Sequence, residues 1–483
     1  MNYKLVLKII SILTLIITFF LIFPAAVALY YKEINEFKIF LLIIGGLLLI
    51  SSISYFFLKP EKQESLSARD GFLLVTLSWL SASFVGALPF YFTGSIPAFT
   101  NAFFETMSGF TTTGASILTN IESLPKSLLF WRSLTHWLGG MGIVVLTVAI
   151  LPILGIGGLQ LIKAEAPGPS VDKISPRIKE TAKILWYIYL GLTITQTLLL
   201  MLGGMNLFDA VTHTFGTLAT GGFSPKNTSV GYYNSAYIDG VITIFMIIAG
   251  ANFILHYRVL TGRYKVLFWD TEFRVYLTIF ILAVVIITFN LYGTYYDSIG
   301  NSIRHASFQA ASILTTTGYA TVDYEKWPFL AQAILFFLMF IGGCSGSTGG
   351  GIKVIRIYSL LKQAYNEMKY LLHPRAIFIL KINRKTIKKD IMYAISGFFF
   401  LYIFMILITT LVVASSNQDV LTSVTTALAT VGNIGPGLGN VGPAEHYAFY
   451  PAYVKWVLCF AMLAGRLELY TIFILFTPAF WRK

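Results

Sequence analysis

The chain has 483 residues, 56% hydrophobic and only 12% charged, with a mean hydropathy of +0.72; soluble domains carry about 25% charged residues, so this composition belongs to a polytopic membrane protein. The formal charge of +13 comes from 35 Lys+Arg against 22 Asp+Glu, and its meaning depends on where the cations lie. Two cysteines, Cys344 and Cys459, both in apolar stretches, exclude a disulfide-stapled secreted domain, and six scattered histidines without HExxH or CxxC spacing argue against a dedicated zinc site.

In chain order, Lys4 and Lys8 precede an apolar run ending Ala26-Val27-Ala28 that imitates a signal peptide. The run from Ile9 is longer than an h-region of roughly 7–15 residues, so it is expected to persist as a helix. About 20 apolar residues cross a bilayer, and ten such stretches follow: Ile9–Tyr31, Ile39–Leu58, Gly71–Phe104, Ser133–Ile162, Ile184–Phe208, Gly240–Tyr257, Val275–Tyr296, Trp327–Ile352, Ile391–Gln418 and Tyr450–Trp481. Of the 35 Lys+Arg, 26 fall in segments 1–8, 59–69, 163–183, 256–274, 353–389 and 482–483, which are alternate connections. The positive-inside rule makes these cytoplasmic, with both termini inside a multi-pass protein of the cytoplasmic (inner) membrane. The surplus charge is thereby topological, and no nucleic acid is implied.

After residue 70 a unit of helix, half-helix, loop, helix recurs about every 100 residues. Each copy carries a tetrapeptide: Thr111-Thr112-Thr113-Gly114, Ala219-Thr220-Gly221-Gly222, Thr315-Thr316-Thr317-Gly318 and Ala429-Thr430-Val431-Gly432. The preceding segments Ala102–Phe110, Asp209–Leu218, Ser302–Leu314 and Val420–Leu428 are too short to span and are expected to re-enter. The expected fold is all-α: an N-terminal two-helix hairpin (1–69) and four pseudo-symmetric pore units (70–165, 166–265, 266–385 and 386–483) around one central pore. A single Thr-Gly pair is ordinary close helix packing. Four, at near-regular spacing and on one side, are not.

Non-helical backbone at membrane depth must be packed in protein or line a water-filled cavity. Glycine reaches φ > 0, which lets successive carbonyls face one axis, and threonine adds a hydroxyl oxygen. Rings of neutral oxygens replace the hydration shell of a monovalent cation, as in a potassium filter. No tetrapeptide holds Asp or Glu, which disfavours a divalent-cation pore.

These four loops, the Phe223-Ser224 and Asn433-Ile434-Gly435-Pro436-Gly437 sequences that follow two of them, and the run Gly342–Gly351 resemble the Trk/Ktr/HKT superfamily of potassium transporters. Two extra helices ahead of the units make the chain similar to the TrkH type rather than the shorter KtrB type. The resemblance implies a homodimeric, K⁺-selective subunit gated by a cytosolic nucleotide-binding ring protein of the TrkA kind. K⁺ would be its cargo, with no tightly bound cofactor. The resemblance also implies ion sites at Thr112, Thr113, Gly114, Thr220, Gly221, Gly222, Thr316, Thr317, Gly318, Thr430, Val431, Gly432 and Asn433. Only Thr430-Val431-Gly432-Asn433 is similar to the signature of four-subunit potassium channels.

A gate is expected where the apolar pattern from Phe329 to Ile341 is interrupted by Gly342-Gly343-Cys344-Ser345-Gly346-Ser347-Thr348-Gly349-Gly350-Gly351. Six of these ten residues are glycine, each costing about 1 kcal/mol against Ala in a helix, so an irregular loop below the filter is predicted. In the resembled family's arrangement Arg466 lies near it. A guanidinium there repels K⁺ and can hydrogen-bond loop carbonyls, while Glu468 at i+2 falls on another helix face. The same run lacks the Gly-Lys-Ser/Thr ending of a phosphate loop. The basic segment 353–389 reads as a cytoplasmic loop and a candidate contact for a cytosolic regulator or anionic lipid.

Two other functions are weighed. A membrane enzyme would need paired intramembrane acids or His/Asp clusters. His136, His213 and His305 instead read as hydrogen-bonded interfacial histidines, and Glu105 and Asp209 as caps or dipole partners at the starts of pore segments. A cation symporter or antiporter coupled to H⁺ or Na⁺ predicts midplane carboxylates and inverted repeats, whereas these four units share one orientation.

Overall fold

The computed structural model describes residues 1–58, 66–142, 178–376, 379–383 and 385–482. Helices α1 (Tyr3–Phe20) and α2 (Ile22–Tyr30) together make one apolar crossing, and α3 (Ile34–Phe57) returns. Glu33, at the turn between them, accepts hydrogen bonds from the backbone N–H groups of Lys126 (2.6 Å) and Ser127 (3.0 Å), which ties this hairpin to the first pore unit.

The four units follow in order. The first has α4 (Ala68–Phe92), the half-helix α5 (Phe99–Phe110) and α6 (Lys126–Gly140). In the second, α7 (Ile178–Leu202) and the half-helix α8 (Leu207–Leu218) precede α9 (Ala236–Ala249). There the chain bends by 101° into α10 (Phe253–Leu260) and reaches the short α11 (Val266–Trp269). The third comprises α12 (Thr271–Leu291), the half-helix α13 (Ile299–Leu314), α14 (Phe329–Met339) and α15 (Val354–Leu372). A hairpin of β1 (Lys381–Ile382) and β2 (Lys385–Thr386) leads to the fourth, with α16 (Lys389–Ala414), the half-helix α17 (Val420–Val431) and α18 (Ala452–Arg466). A 113° bend follows, into Tyr470–Phe476. Side-chain caps start several of these helices; Ser67 and Asp70 form a reciprocal capping box on α4, and Asn206 caps α8.

Among the described residues six helices are long and apolar enough to span, or eight if each bent pair is one span. The apolar run Gly71–Phe104 breaks at Gly94, whose φ of +73° turns the chain out of α4 and into the half-helix. The run Trp327–Ile352 is helical only to Met339. Of Ser133–Ile162, residues 143–162 lie outside the described residues, as do the expected 165/166 unit boundary and much of the basic segments 59–69 and 163–183.

Each unit buries an aromatic side chain from its first helix, namely Trp79, Tyr189, Tyr276 and Tyr402. Each half-helix carries small and hydroxylated residues, of which Thr106, Thr217, Ser312 and Thr430 are all buried. Thr106, Thr217 and Thr430 turn their hydroxyls back onto helix carbonyls, while Ser312 donates to Tyr319 O. Small residues of this kind let the units approach closely around the loops.

Candidate functional site

All four half-helices end in one backbone motif. The next residue caps the helix in right-handed geometry, and the one after it is left-handed: Thr112 (φ 54°), Thr220 (53°), Thr316 (60°) and Asn433 (53°). Its N–H bonds three residues back, and the following N–H reaches five residues back: Thr113 to Ser108 O at 2.9 Å, and Gly221 to Gly216 O, Thr317 to Ser312 O and Ile434 to Ala429 O at 2.8 Å each. This is a Schellman cap. It turns these N–H groups back onto the helix, so the carbonyls that follow are not used within it. A β-branched residue at positive φ is strained, and three threonines accept it here.

The motif corrects the register of the fourth loop. Thr430 and Val431 are the last two residues of α17, and Gly432 is its right-handed cap, equivalent to Thr111, Ala219 and Thr315. Asn433 stands where the other loops have threonine, and Gly435 where they have Gly114, Gly222 and Gly318. Matching Thr-Val-Gly by letter placed the loop three residues early. The physical signal was available: Asn tolerates the left-handed region, and a glycine follows two residues later.

The four glycines Gly114 (φ 83°), Gly222 (80°), Gly318 (81°) and Gly435 (97°) are packed in a closed cycle. A Cβ on Gly114 would strike the carbonyl oxygen of Gly221; on Gly222, that of Thr317; on Gly318, that of Ile434; and on Gly435, that of Thr113. Each loop therefore touches the next, and the fourth touches the first. Each contact is made by the carbonyl oxygen of the residue before the glycine, one from every loop, and Thr112, Thr220, Thr316 and Asn433 stand one residue earlier. Asn433 Nδ2 donates to Thr113 Oγ1 at 2.9 Å and Met462 O at 2.8 Å, locking the odd loop to its neighbour.

The glycine-rich segment 340–353 lies directly against the helix side of this ring. Gly350 N donates to Thr316 Oγ1 at 2.7 Å, a Cβ on Gly350 would strike Gly432 O, and one on Gly349 would press tightly on Thr315 O. Thr348 Oγ1 donates to Leu218 O at 2.9 Å. Glycines at positive φ, Gly342, Gly346 and Gly351, make its turns, and Gly343, Ser345 and Ser347 lie between them. Arg466, at the end of α18, donates to Thr112 Oγ1 (3.1 Å), Thr348 O (2.7 Å), Gly139 O (2.7 Å) and Gly140 O (3.3 Å). One guanidinium thus joins the first of the four loops, the glycine-rich loop and the end of α6. Glu468 pairs with Arg356 of α15.

A family profile described as "TrkH: Cation transport protein" matches residues 37–483. The chain belongs to the TrkH cation transport family. It is 43% identical to "Trk system potassium uptake protein TrkH" of Salmonella typhimurium and 42% identical to that of Escherichia coli K12, with all of both chains aligned in each case. The crystal structure of the potassium transporter TrkH from Vibrio parahaemolyticus matches with a TM-score of 0.89 at 39% identity, again over the whole of both chains.

In this TrkH-family chain the ring is held from behind by polar side chains. Glu105, expected at the start of a pore segment, lies in the middle of α5, buried and paired with Arg132 at 2.7 Å. Its carboxylate also accepts from Ser116 Oγ and Ile117 N, both at 2.9 Å, two and three residues beyond Gly114. Arg132 stacks on Phe223 at 3.5 Å and donates to Ser224 O, which joins the first loop to the second. His213 contacts Asp209 O (2.7 Å) and Ser224 Oγ (3.0 Å), His136 contacts Gly109 O (2.7 Å), and His305 contacts Thr321 Oγ1 (3.1 Å). On the other side of the ring a cavity of about 150 Å³ opens over Gly114, Gly222 and Gly435, lined also by Lys226, Glu445 and His446.

Proposed function

We propose that this protein takes up K⁺ across the cytoplasmic membrane through the four-loop ring, with Gly342–Gly351 and Arg466 as the gate. The reading is carried by one observation: four positive-φ glycines, one per unit, each packed on a carbonyl of the next loop in a closed cycle. Rigid neutral oxygens in such a ring suit a dehydrated monovalent cation, and the relatives named above are called potassium uptake proteins. The filter residues are Thr112–Gly114, Thr220–Gly222, Thr316–Gly318 and, in the corrected register, Asn433–Gly435, with units 70–165, 166–265, 266–385 and 386–483 as quarters of one pore. K⁺ is cargo, no tightly bound cofactor or catalytic step is involved, and the basic side with both termini faces the cytoplasm. The chain works as a homodimer with a cytosolic nucleotide-binding regulator of the TrkA kind, docked on the basic segment 353–389. Flux into liposomes holding the purified protein, at clamped potential, tests this. K⁺ and Rb⁺ should enter and Na⁺ should be strongly disfavoured; equal K⁺ and Na⁺ entry would contradict it.

A further inference from the structure

The glycine-rich loop has to be held somewhere outside the ion path, and one carboxylate ties the middle of the loop to the helix that follows it. Glu272 lies in the first turn of α12 and is only 7% exposed. Its Oε1 accepts from Ser345 N at 2.6 Å, inside the loop, and from Ile355 N at 3.3 Å, in the first turn of α15 just after it. The second contact is at a helix N-terminus, where a negative charge is favoured.

The same turn of α12 is gripped from the basic side. Asn383, left-handed (φ 49°) at the turn of the β1–β2 hairpin, uses both ends of its amide: Oδ1 accepts from Thr271 N at 2.7 Å and Nδ2 donates to Asp270 Oδ2 at 2.8 Å. Leu380 and Ile382 of this hairpin pack in one cluster with Ile355, Met392 and Ile395. The hairpin therefore bears on the turn that carries Glu272 and on the helix that follows the loop.

We infer that Glu272 is the positioning residue that holds the intramembrane loop closed, and that the hairpin acts on the loop through it. This rests on the reading of Gly342–Gly351 as the gate. A partner that moves the hairpin shifts the first turn of α12, and the carboxylate then leaves Ser345 or Ile355. Glu272 touches neither the ring nor the cavity above it, so its loss changes how often the pore opens and leaves ion choice alone.

The test is K⁺ and Na⁺ flux without any cytosolic partner, in liposomes, for the parent, E272Q, E272A, N383A and E272A/N383A, each first checked for a folded, monodisperse preparation. Flux should rise in the order parent, E272Q, E272A, because Gln keeps an acceptor without the charge, with E272A up roughly tenfold and the K⁺/Na⁺ ratio unchanged. N383A should raise flux in the parent and add nothing to E272A, the non-additivity of residues acting in one line. Folded E272Q and E272A conducting no faster than the parent, a changed ion ratio, or an N383A effect of equal size in both backgrounds would overturn the inference. Deleting residues within Gly346–Gly350 serves as the control. If that deletion leaves flux low, the gate assignment itself fails; if it raises flux while E272A does not, only the role of Glu272 falls.

Discussion

Replacing Arg466 by Ala removes a positive charge from the base of the filter. The guanidinium nitrogen is 3.1 Å from Thr112 Oγ1, so a cation held by that hydroxyl would lie about 6 Å from the charge. At an effective dielectric constant of about 20 their repulsion is about 2.8 kcal/mol, a factor near 100 in occupancy. The substitution also releases Thr348 O, Gly139 O and Gly140 O, which frees the glycine-rich loop from α6. Partner-free K⁺ flux in liposomes should therefore rise between about 10-fold and 100-fold, the lower figure applying if loop release is incomplete. Arg466→Lys keeps the charge but cannot span four acceptors, and should fall between parent and Ala. Each variant is first compared with the parent for thermal stability in detergent. Folded Arg466→Ala with parental or lower flux would refute the argument.

Ser at Gly114, Gly222, Gly318 or Gly435 places a Cβ against the next loop's carbonyl and penalises φ > 0 by roughly 1–2 kcal/mol; K⁺/Na⁺ permeability ratios should collapse, or uptake cease, in each single variant. Arg132→Ala leaves Glu105 buried and unpaired, which should lower stability by about 3–5 kcal/mol, read as a large fall in the detergent melting temperature, whereas a surface Lys326→Ala should leave it unchanged. Asp419 caps α17 by accepting from Thr422 N at 3.2 Å, and hydrogen bonding from the Thr422 side chain, helped by this backbone contact, holds its carboxyl below the usual carboxylate range. Its contribution is present above the unfolded carboxylate pKa and fades as pH falls through the lowered value, so the stability gap between parent and Asp419→Ala should narrow on acidification.

The four-unit plan was legible because it is written four times, in apolar runs, short half-helices and Thr/Gly loops. The glycine break after Ile341 was legible for a similar reason, since helix-breaking residues are rare enough inside an apolar run to stand out; the proximity of Arg466 came only with the family resemblance. The fourth loop was misread because letters were matched where geometry decides, and a Schellman cap accepts Asn433 as readily as Thr112. The bend after Ala249 was hidden because a charge-free apolar run continues through it, as it does from α4 into α5, whereas the bend after Arg466 falls among charged residues, Arg466 and Glu468, that mark it in the sequence. Arg132 and Glu272 were unreadable in their roles, since Ser224, to which Arg132 donates, and Ser345 and Ile355, which donate to Glu272, lie far away in sequence and no local pattern encodes such pairings.

The central claim is that a monovalent cation sits within the ring of Thr113, Gly221, Thr317 and Ile434 carbonyls. Anomalous diffraction from crystals grown in Rb⁺ measures this directly. Peaks on the axis between the four loops, at the level of those carbonyls, are the predicted result, and they should vanish when Na⁺ replaces Rb⁺. Rb⁺ density confined to other places, with the ring empty, would contradict the account.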